Sequence, residues 1–183
     1  MSPALPVALS CGEPAGVGPE LALRAWEALR DRVPFFLIGD AGHLGQGAPH
    51  VRIADPGEAP AAMARGLPVL GVCRGFQFIN QRFGGSTIEI AGHVGCSHRV
   101  DFAECWQAQY ENQDMVNSYH NLAIGPGGLG AVLEATATDS DGFVEAARHR
   151  DLPVAGIMWH PERTAAPAGD RALFECLIGQ GAR

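Results

Sequence analysis

The stretch Pro68-Val69-Leu70-Gly71-Val72-Cys73-Arg74-Gly75-Phe76-Gln77 runs from a short apolar strand, through a glycine-flanked cysteine, into a helical pattern. Its centre has the form G-x-C-x-G, a nucleophile elbow with cysteine in the place of serine. Glycines on both sides are expected because such a turn leaves no room for a Cβ. A thiol at a helix N-terminus also meets unpaired N–H groups and the positive end of the helix dipole, which favour the thiolate as nucleophile. The Arg74 N–H is placed to bind a developing oxyanion. The competing reading is a buried structural cysteine, since free cysteines are among the most buried residues.

Working outward, the upstream segment alternates strand and helix signals. Pro6-Val7-Ala8-Leu9-Ser10, Phe35-Phe36-Leu37-Ile38 and His50-Val51-Arg52-Ile53 read as strands. Between the first two, Pro19 opens a helix whose apolar stripe includes Leu21, Leu23, Trp26 and Leu29. A short helix is expected from Ala59 to Arg65, and a longer one from Arg74 to Phe83. Strands alternating with helices imply a parallel sheet with right-handed crossovers. Beyond Gly84 the pattern shortens into β-like pieces. Residues 131–137 and 154–159 are the clearest strands there, and Arg171 to Ile178 reads as a closing helix.

A cysteine nucleophile needs a base that can also protonate the leaving nitrogen, and that base needs an orienting group. Trp159-His160-Pro161-Glu162 follows a hydrophobic strand. It supplies a histidine at the strand's end and a carboxylate two residues on.

With these residues in view, the chain resembles the class I glutamine amidotransferases, within them most closely the free-standing γ-glutamyl hydrolases that include γ-glutamyl-γ-aminobutyrate hydrolases. The likeness rests on Pro68–Gln77 and Phe83-Gly84-Gly85-Ser86. It continues through Ser97-His98-Arg99-Val100, Asn117-Ser118-Tyr119-His120, Asp141-Gly142-Phe143-Val144-Glu145 and Met158-Trp159-His160-Pro161-Glu162, covering about residues 67–180. It implies an α/β three-layer domain with a mainly parallel sheet, glutamine-amidotransferase-like and so flavodoxin-like. It implies hydrolysis of a γ-glutamyl amide through a Cys73–His160–Glu162 triad and a thioester. It also implies substrate contacts from Arg74, Gln77, Ser118, Tyr119 and His120. The leaving amine, and any synthetase partner that would receive ammonia, stay open.

Residues 1–66 carry a different likeness. Leu9-Ser10-Cys11-Gly12-Glu13-Pro14-Ala15-Gly16-Val17-Gly18-Pro19-Glu20, Phe36–Asp40 and Val51–Glu58 resemble the N-terminus of 4-hydroxythreonine-4-phosphate dehydrogenases. The chain therefore reads as a chimera of a dehydrogenase-like segment (1–66) supplying β/α units and an amidotransferase-like segment (67–183), joined into one compact domain. The dehydrogenase likeness stops short of that family's metal-binding histidines, so its activity does not carry over. Gly16-x-Gly18 lacks the third glycine of a dinucleotide loop and reads as a tight turn. The Gly-Gly loop that gives the amidotransferases a second oxyanion N–H is not found upstream of Cys73. The nearest substitute is Asp55-Pro56-Gly57-Glu58, so hydrolysis is expected to be impaired, or the chain to bind γ-glutamyl compounds without turnover.

Composition narrows the classes further. A net charge of −7 over 183 residues leaves no basic stripe for nucleic acid. No apolar run approaches a membrane span. No signal peptide follows Met1-Ser2-Pro3. Five cysteines without CxxC spacing suit a reduced, cytoplasmic protein. His93, Cys96, His98 and Cys105 match no common zinc spacing, so neither a metal nor a cofactor is expected.

Overall fold

A computed structural model describes residues 7–10, 35–38, 50–51, 63–64, 66, 68–111, 113–163 and 168–180; side chains of 7–10, 35–38, 50–51, 162 and 178–180 are not described. The helix expected after Pro19 and the Gly16–Gly18 turn lie outside these residues.

The strands are β1 (Val7–Ser10), β2 (Phe35–Ile38), β3 (His50–Val51), β4 (Val69–Val72), β5 (Ile88–Glu89), β6 (Val94–Phe102), β7 (Met115–Tyr119), β8 (Leu122–Ala123), β9 (Leu133–Asp139), β10 (Val144–His149) and β11 (Val154–Ile157). The helices are α1 (Arg74–Arg82), α2 (Glu104–Gln107) and α3 (Ala168–Gln180), with a 3₁₀ turn at Pro161–Arg163. Nine of the strands form one sheet in the order β3-β2-β1-β4-β11-β10-β9-β6-β7, while β5 and β8 pair separately.

The large sheet has two characters. Neighbours from β3 to β11 pair in parallel. From β11 to β7 every pairing is antiparallel. The parallel part is the α/β unit that the strand–helix alternation implies. The β-like pieces beyond Gly84 become its antiparallel extension, so the whole sheet is mixed. β4 lies between β1, from the N-terminal segment, and β11, from the C-terminal one. All of β11 is buried, which is why Val154-Ala155-Gly156-Ile157 reads as an unbroken apolar run.

Alternation along β11 divides the core. Val154 and Met158 join Phe76 and Ile79 of α1 on one face of the sheet. Ala155, Ile157 and Trp159 join Leu173 and Leu177 of α3, with Trp106 and Tyr110, on the other. Helix, sheet and helix thus make three layers. Phe76 is fully buried and lies against Gly156, where any side chain would collide with its ring. Asn80, also fully buried, knots the end of α1 to its surroundings. Its Nδ2 donates to the carbonyls of Ser86 and Gly128, and its Oδ1 accepts from the Gly130 N–H.

Candidate active site

Cys73 caps the N-terminus of α1 with φ +49° and ψ −105°. Among the described residues it is the only non-glycine with positive φ. A left-handed conformation at a residue with a Cβ costs energy and persists only where the surroundings enforce it, commonly at functional sites. Here the enforcement is visible. The Cys73 N–H donates to the Ile157 carbonyl of β11 at 2.7 Å, and the Gln77 N–H donates to the Cys73 carbonyl at 3.0 Å. The half-buried thiol is thereby presented at the carboxyl end of β4.

The two glycines of the elbow differ. A Cβ on Gly71 would stand 2.6 Å from Ile79 Cδ1 and 2.7 Å from the Gly75 and Phe76 backbone, so nothing but glycine fits. A Cβ on Gly75 would meet nothing within 4 Å. The tightness expected on both sides of the nucleophile exists on the strand side alone, because Gly75 faces open space in the first turn of α1.

β4 and β11 run in parallel register, Val72 opposite Ile157. The residues that follow them, Cys73 and Met158-Trp159-His160, therefore leave the same edge of the sheet side by side. The strand order reverses direction between β1 and β4, so this edge is also the switch point at which open sheets bind ligands.

Two devices fix the His160 segment. Asn117 grips its backbone: Asn117 Oδ1 accepts from the His160 N–H at 2.9 Å, and Asn117 Nδ2 donates to the His160 carbonyl at 2.8 Å. Beneath it, Trp159 Nε1 and the Tyr110 hydroxyl both donate to Asp170 Oδ1, at 2.9 and 2.8 Å. Burial raises the Asp170 pKa from the ordinary aspartate range, against the lowering effect of these two hydrogen bonds. The Tyr119 ring packs edge-on to His160 at 5.8 Å, with the Arg163 guanidinium 4.1 Å over it. Pro161–Arg163 forms the 3₁₀ turn, and the Glu162 side chain lies outside the described residues.

The remaining residues expected to touch substrate fall into two groups. Arg74 and Tyr119 are exposed near the elbow and the histidine, respectively. Gln77 is buried, donating through Nε2 to the Leu122 carbonyl at 3.0 Å and accepting from Arg74 at 3.5 Å. Ser118 and His120 point the opposite way from Tyr119, since a strand alternates its faces. Ser118 Oγ donates to the His93 carbonyl at 2.7 Å, and His120 Nδ1 lies 3.1 Å from the Leu122 carbonyl. A cleft of about 570 Å³, lined by Cys105, Arg148, Pro153 and Cys176 among others, opens at the beginning of β11, the opposite end from Cys73.

A family model for class I glutamine amidotransferases matches residues 45–180. The chain belongs to the class I glutamine amidotransferase family. The match begins upstream of the residues that carry the likeness in sequence. Anthranilate synthase component 2 of Azospirillum brasilense is 33% identical to this chain over 122 residues, covering 64% of this chain and 61% of that one. A 4-hydroxythreonine-4-phosphate dehydrogenase of Ruegeria sp. (strain TM1040) is 51% identical over 63 residues, 34% of this chain and 19% of that one. The chain thus spans less than two thirds of the length of either relative. A crystal structure of a protein assigned to GMP synthase as one of its subunits, from Thermoplasma acidophilum, matches it with a TM-score of 0.65 at 18% identity, covering 97% of this chain and 95% of that one. At that identity the shared property is the fold. Among the described residues no helix is long and apolar enough to cross a membrane.

Sequence reasoning missed the roles of Asn117 and Asp170. Asn117 stands in a motif expected to contact substrate, and its grip on a residue 43 positions away has no local signature. Asp170 sits in a helix whose first turn favours an acid for its own reasons.

Proposed function

We propose that this chain hydrolyses a γ-glutamyl amide, glutamine or a γ-glutamyl-amine, with Cys73 as nucleophile, His160 as general acid–base and Glu162 as the group that orients His160. The observation that carries the reading is the enforced positive-φ conformation of Cys73 at the head of α1, beside the strand end that delivers His160. The Cys73 sulfur attacks the carboxamide carbon, the C–N bond breaks, and His160 protonates the departing amine. Water activated by His160 then cleaves the thioester, releasing glutamate and restoring the thiol. The Arg74 N–H binds the oxyanion, and Arg74, Gln77 and Tyr119 shape the glutamyl pocket. Ser118 and His120 support that pocket from the interior. Any synthetase partner would receive the ammonia released from glutamine.

A second reading is a fusion that binds γ-glutamyl compounds without turning them over. It is favoured by the lack of a Gly-Gly loop before Cys73 and by the dehydrogenase likeness of a third of the chain. Loss of one oxyanion donor costs about 10²–10³ in rate.

One experiment separates them. A substoichiometric glutamine-analogue alkylator should label Cys73 ahead of the other four cysteines, and ammonia release from glutamine should be measured on the same sample. Cys73→Ala and His160→Ala should cost comparable amounts of activity, because triad members act as a unit, and Glu162→Gln should cost less. First labelling at Cys96 or Cys105, or near-normal turnover in His160→Ala, would refute the triad. Clean labelling of Cys73 without turnover would establish the binding-only reading.

A further inference from the structure

His93, His98, His120 and Glu145 each offer one ligand atom, and these four atoms all lie within 4.8 Å of one another. They come from separate places in the chain: the residue before β6, the middle of β6, the residue after β7, and β10. His98 Nε2 lies 3.6 Å from Glu145 Oε2, and His120 Nε2 lies 3.6 Å from Glu145 Oε1. The His120 and Glu145 side chains are each 1% exposed. Nevertheless His93 Nδ1, both His98 ring nitrogens, His120 Nε2 and both Glu145 carboxylate oxygens are buried without a hydrogen-bond partner. Buried polar atoms are nearly always satisfied, so unpartnered atoms from four residues, one ligand atom of each gathered within 4.8 Å, call for a shared partner.

The surroundings prepare these atoms for a cation rather than for one another. The Leu122 carbonyl can only accept, so the His120 Nδ1 facing it carries the hydrogen, and the neutral ring's lone pair is on Nε2, on the cluster side. A backbone carbonyl that fixes the tautomer in this way is the usual outer support of a metal-bound histidine. The backbone is bent to suit. β10 shifts register against β9 on both sides of Ala146, and Val144 to Ala147 are all buried, so Glu145 is held in the interior beside the irregularity. β6 shifts register against β7 between Val94 and Cys96, beside His93.

We infer that His93, His98, His120 and Glu145 form a binding site for one divalent transition-metal ion of the zinc type, pinning β6, β7 and β10 together behind the candidate active site. Three imidazole nitrogens and one carboxylate oxygen suit zinc or cobalt, whose bonds of about 2.0–2.2 Å put tetrahedral ligand atoms about 3.4 Å apart. With one carboxylate oxygen as ligand, one 3.6 Å histidine–Glu145 separation is already close to that, and a gap of 4.8 Å would contract by about 1.4 Å. Cys96, the thiol nearest in sequence, takes no part; its Sγ lies 3.1 Å from the Gly92 carbonyl.

The full-length chain, stripped with a chelator and dialysed, should be titrated with Zn²⁺ in competition with a chromophoric chelator, and with Co²⁺ followed by visible absorption. The expected result is one ion per chain, with cobalt d–d bands and no thiolate-to-metal charge transfer, and a raised Tm on metal addition. Cys73→Ala should bind equally. Glu145→Gln and His98→Asn should each weaken Zn²⁺ binding by about 100-fold or more. Lack of a stoichiometric micromolar site in the folded wild-type chain, a thiolate charge-transfer band, or undiminished binding in both variants would overturn the site. None of these readouts depends on amide hydrolysis, so failure of the hydrolase reading would leave the metal result standing.

Discussion

Asn117 holds both backbone hydrogen-bonding groups of His160, bridging from β7 to the residue that leaves β11 shortly past its end. A side chain this far along the chain thus fixes the backbone from which the imidazole projects. Replacement by alanine should therefore lower kcat by about 10- to 100-fold through misplacement of the acid–base group, with little change in KM. The two lost hydrogen bonds should cost about 1–3 kcal/mol of stability. Steady-state kinetics beside a denaturant titration checks this. A rise in KM with unchanged kcat would show that Asn117 contacts substrate instead.

The elbow glycines should respond differently to the same change. Gly71→Ala forces a Cβ against Ile79 and the α1 backbone and should cost at least about 1–3 kcal/mol, as overpacked sites do. Gly75→Ala enters open space in a helix and should fall within about 0.5 kcal/mol of wild type. Denaturant midpoints would decide, and equal losses would mean that the elbow is shaped otherwise.

Asp170 should give stability a recognisable pH dependence. Its pKa is raised by burial, so the native state keeps the proton to higher pH than the unfolded chain does. That contribution is present in full below about pH 4 and is lost as pH rises through the native value. Asp170→Asn keeps the oxygen that Trp159 and Tyr110 share, so it should gain on wild type as pH rises above about 4. Asp170→Ala leaves both donors unsatisfied and should be less stable at every pH, by about 1–3 kcal/mol for each donor. Thermal melts across that range test both; an Asn variant that loses ground as pH rises would contradict the direction.

Removing residues 1–66 should leave an insoluble or molten product, because β4 would lose its partner β1 and expose an edge. Expression of 67–183 with near-ultraviolet circular dichroism and dye binding tests it. A cooperative, active 67–183 fragment would show that the N-terminal strands are dispensable.

Much of this arrangement is legible in the sequence because it is local. The apolar run Val69–Val72, the cysteine between glycines and the amphipathic α1 are contiguous, and Trp159-His160 follows its own apolar strand. What stays hidden is long-range. Nothing in the shorter pieces beyond Gly84 shows that they pair antiparallel and extend the sheet. Nothing local shows that the first four residues of β10 are all buried, Glu145 among them, or that the strand shifts register against β9 there. His93 and His98 invite a search for nearby cysteine ligands, whereas the groups that meet them come from His120 and Glu145, in two other elements. Spacing rules, built on compact zinc motifs, fail for a set assembled by three strands.

The position of β4 also dictates when the elbow can exist. It is completed on one side by Ala8 and Leu9 and on the other by Val154 to Ile157. On a ribosome the first partner is already waiting when Cys73 emerges, but the second is made some eighty residues later, together with His160. Until then the carbonyl of Ile157 cannot hold the Cys73 amide, and a nascent chain has nothing to keep that residue in its disfavoured backbone state. The thiol therefore spends its synthesis as an ordinary cysteine. It is brought into the geometry of a nucleophile in one late step that depends on the sheet being whole, as expected for a fold dominated by non-local strand pairing.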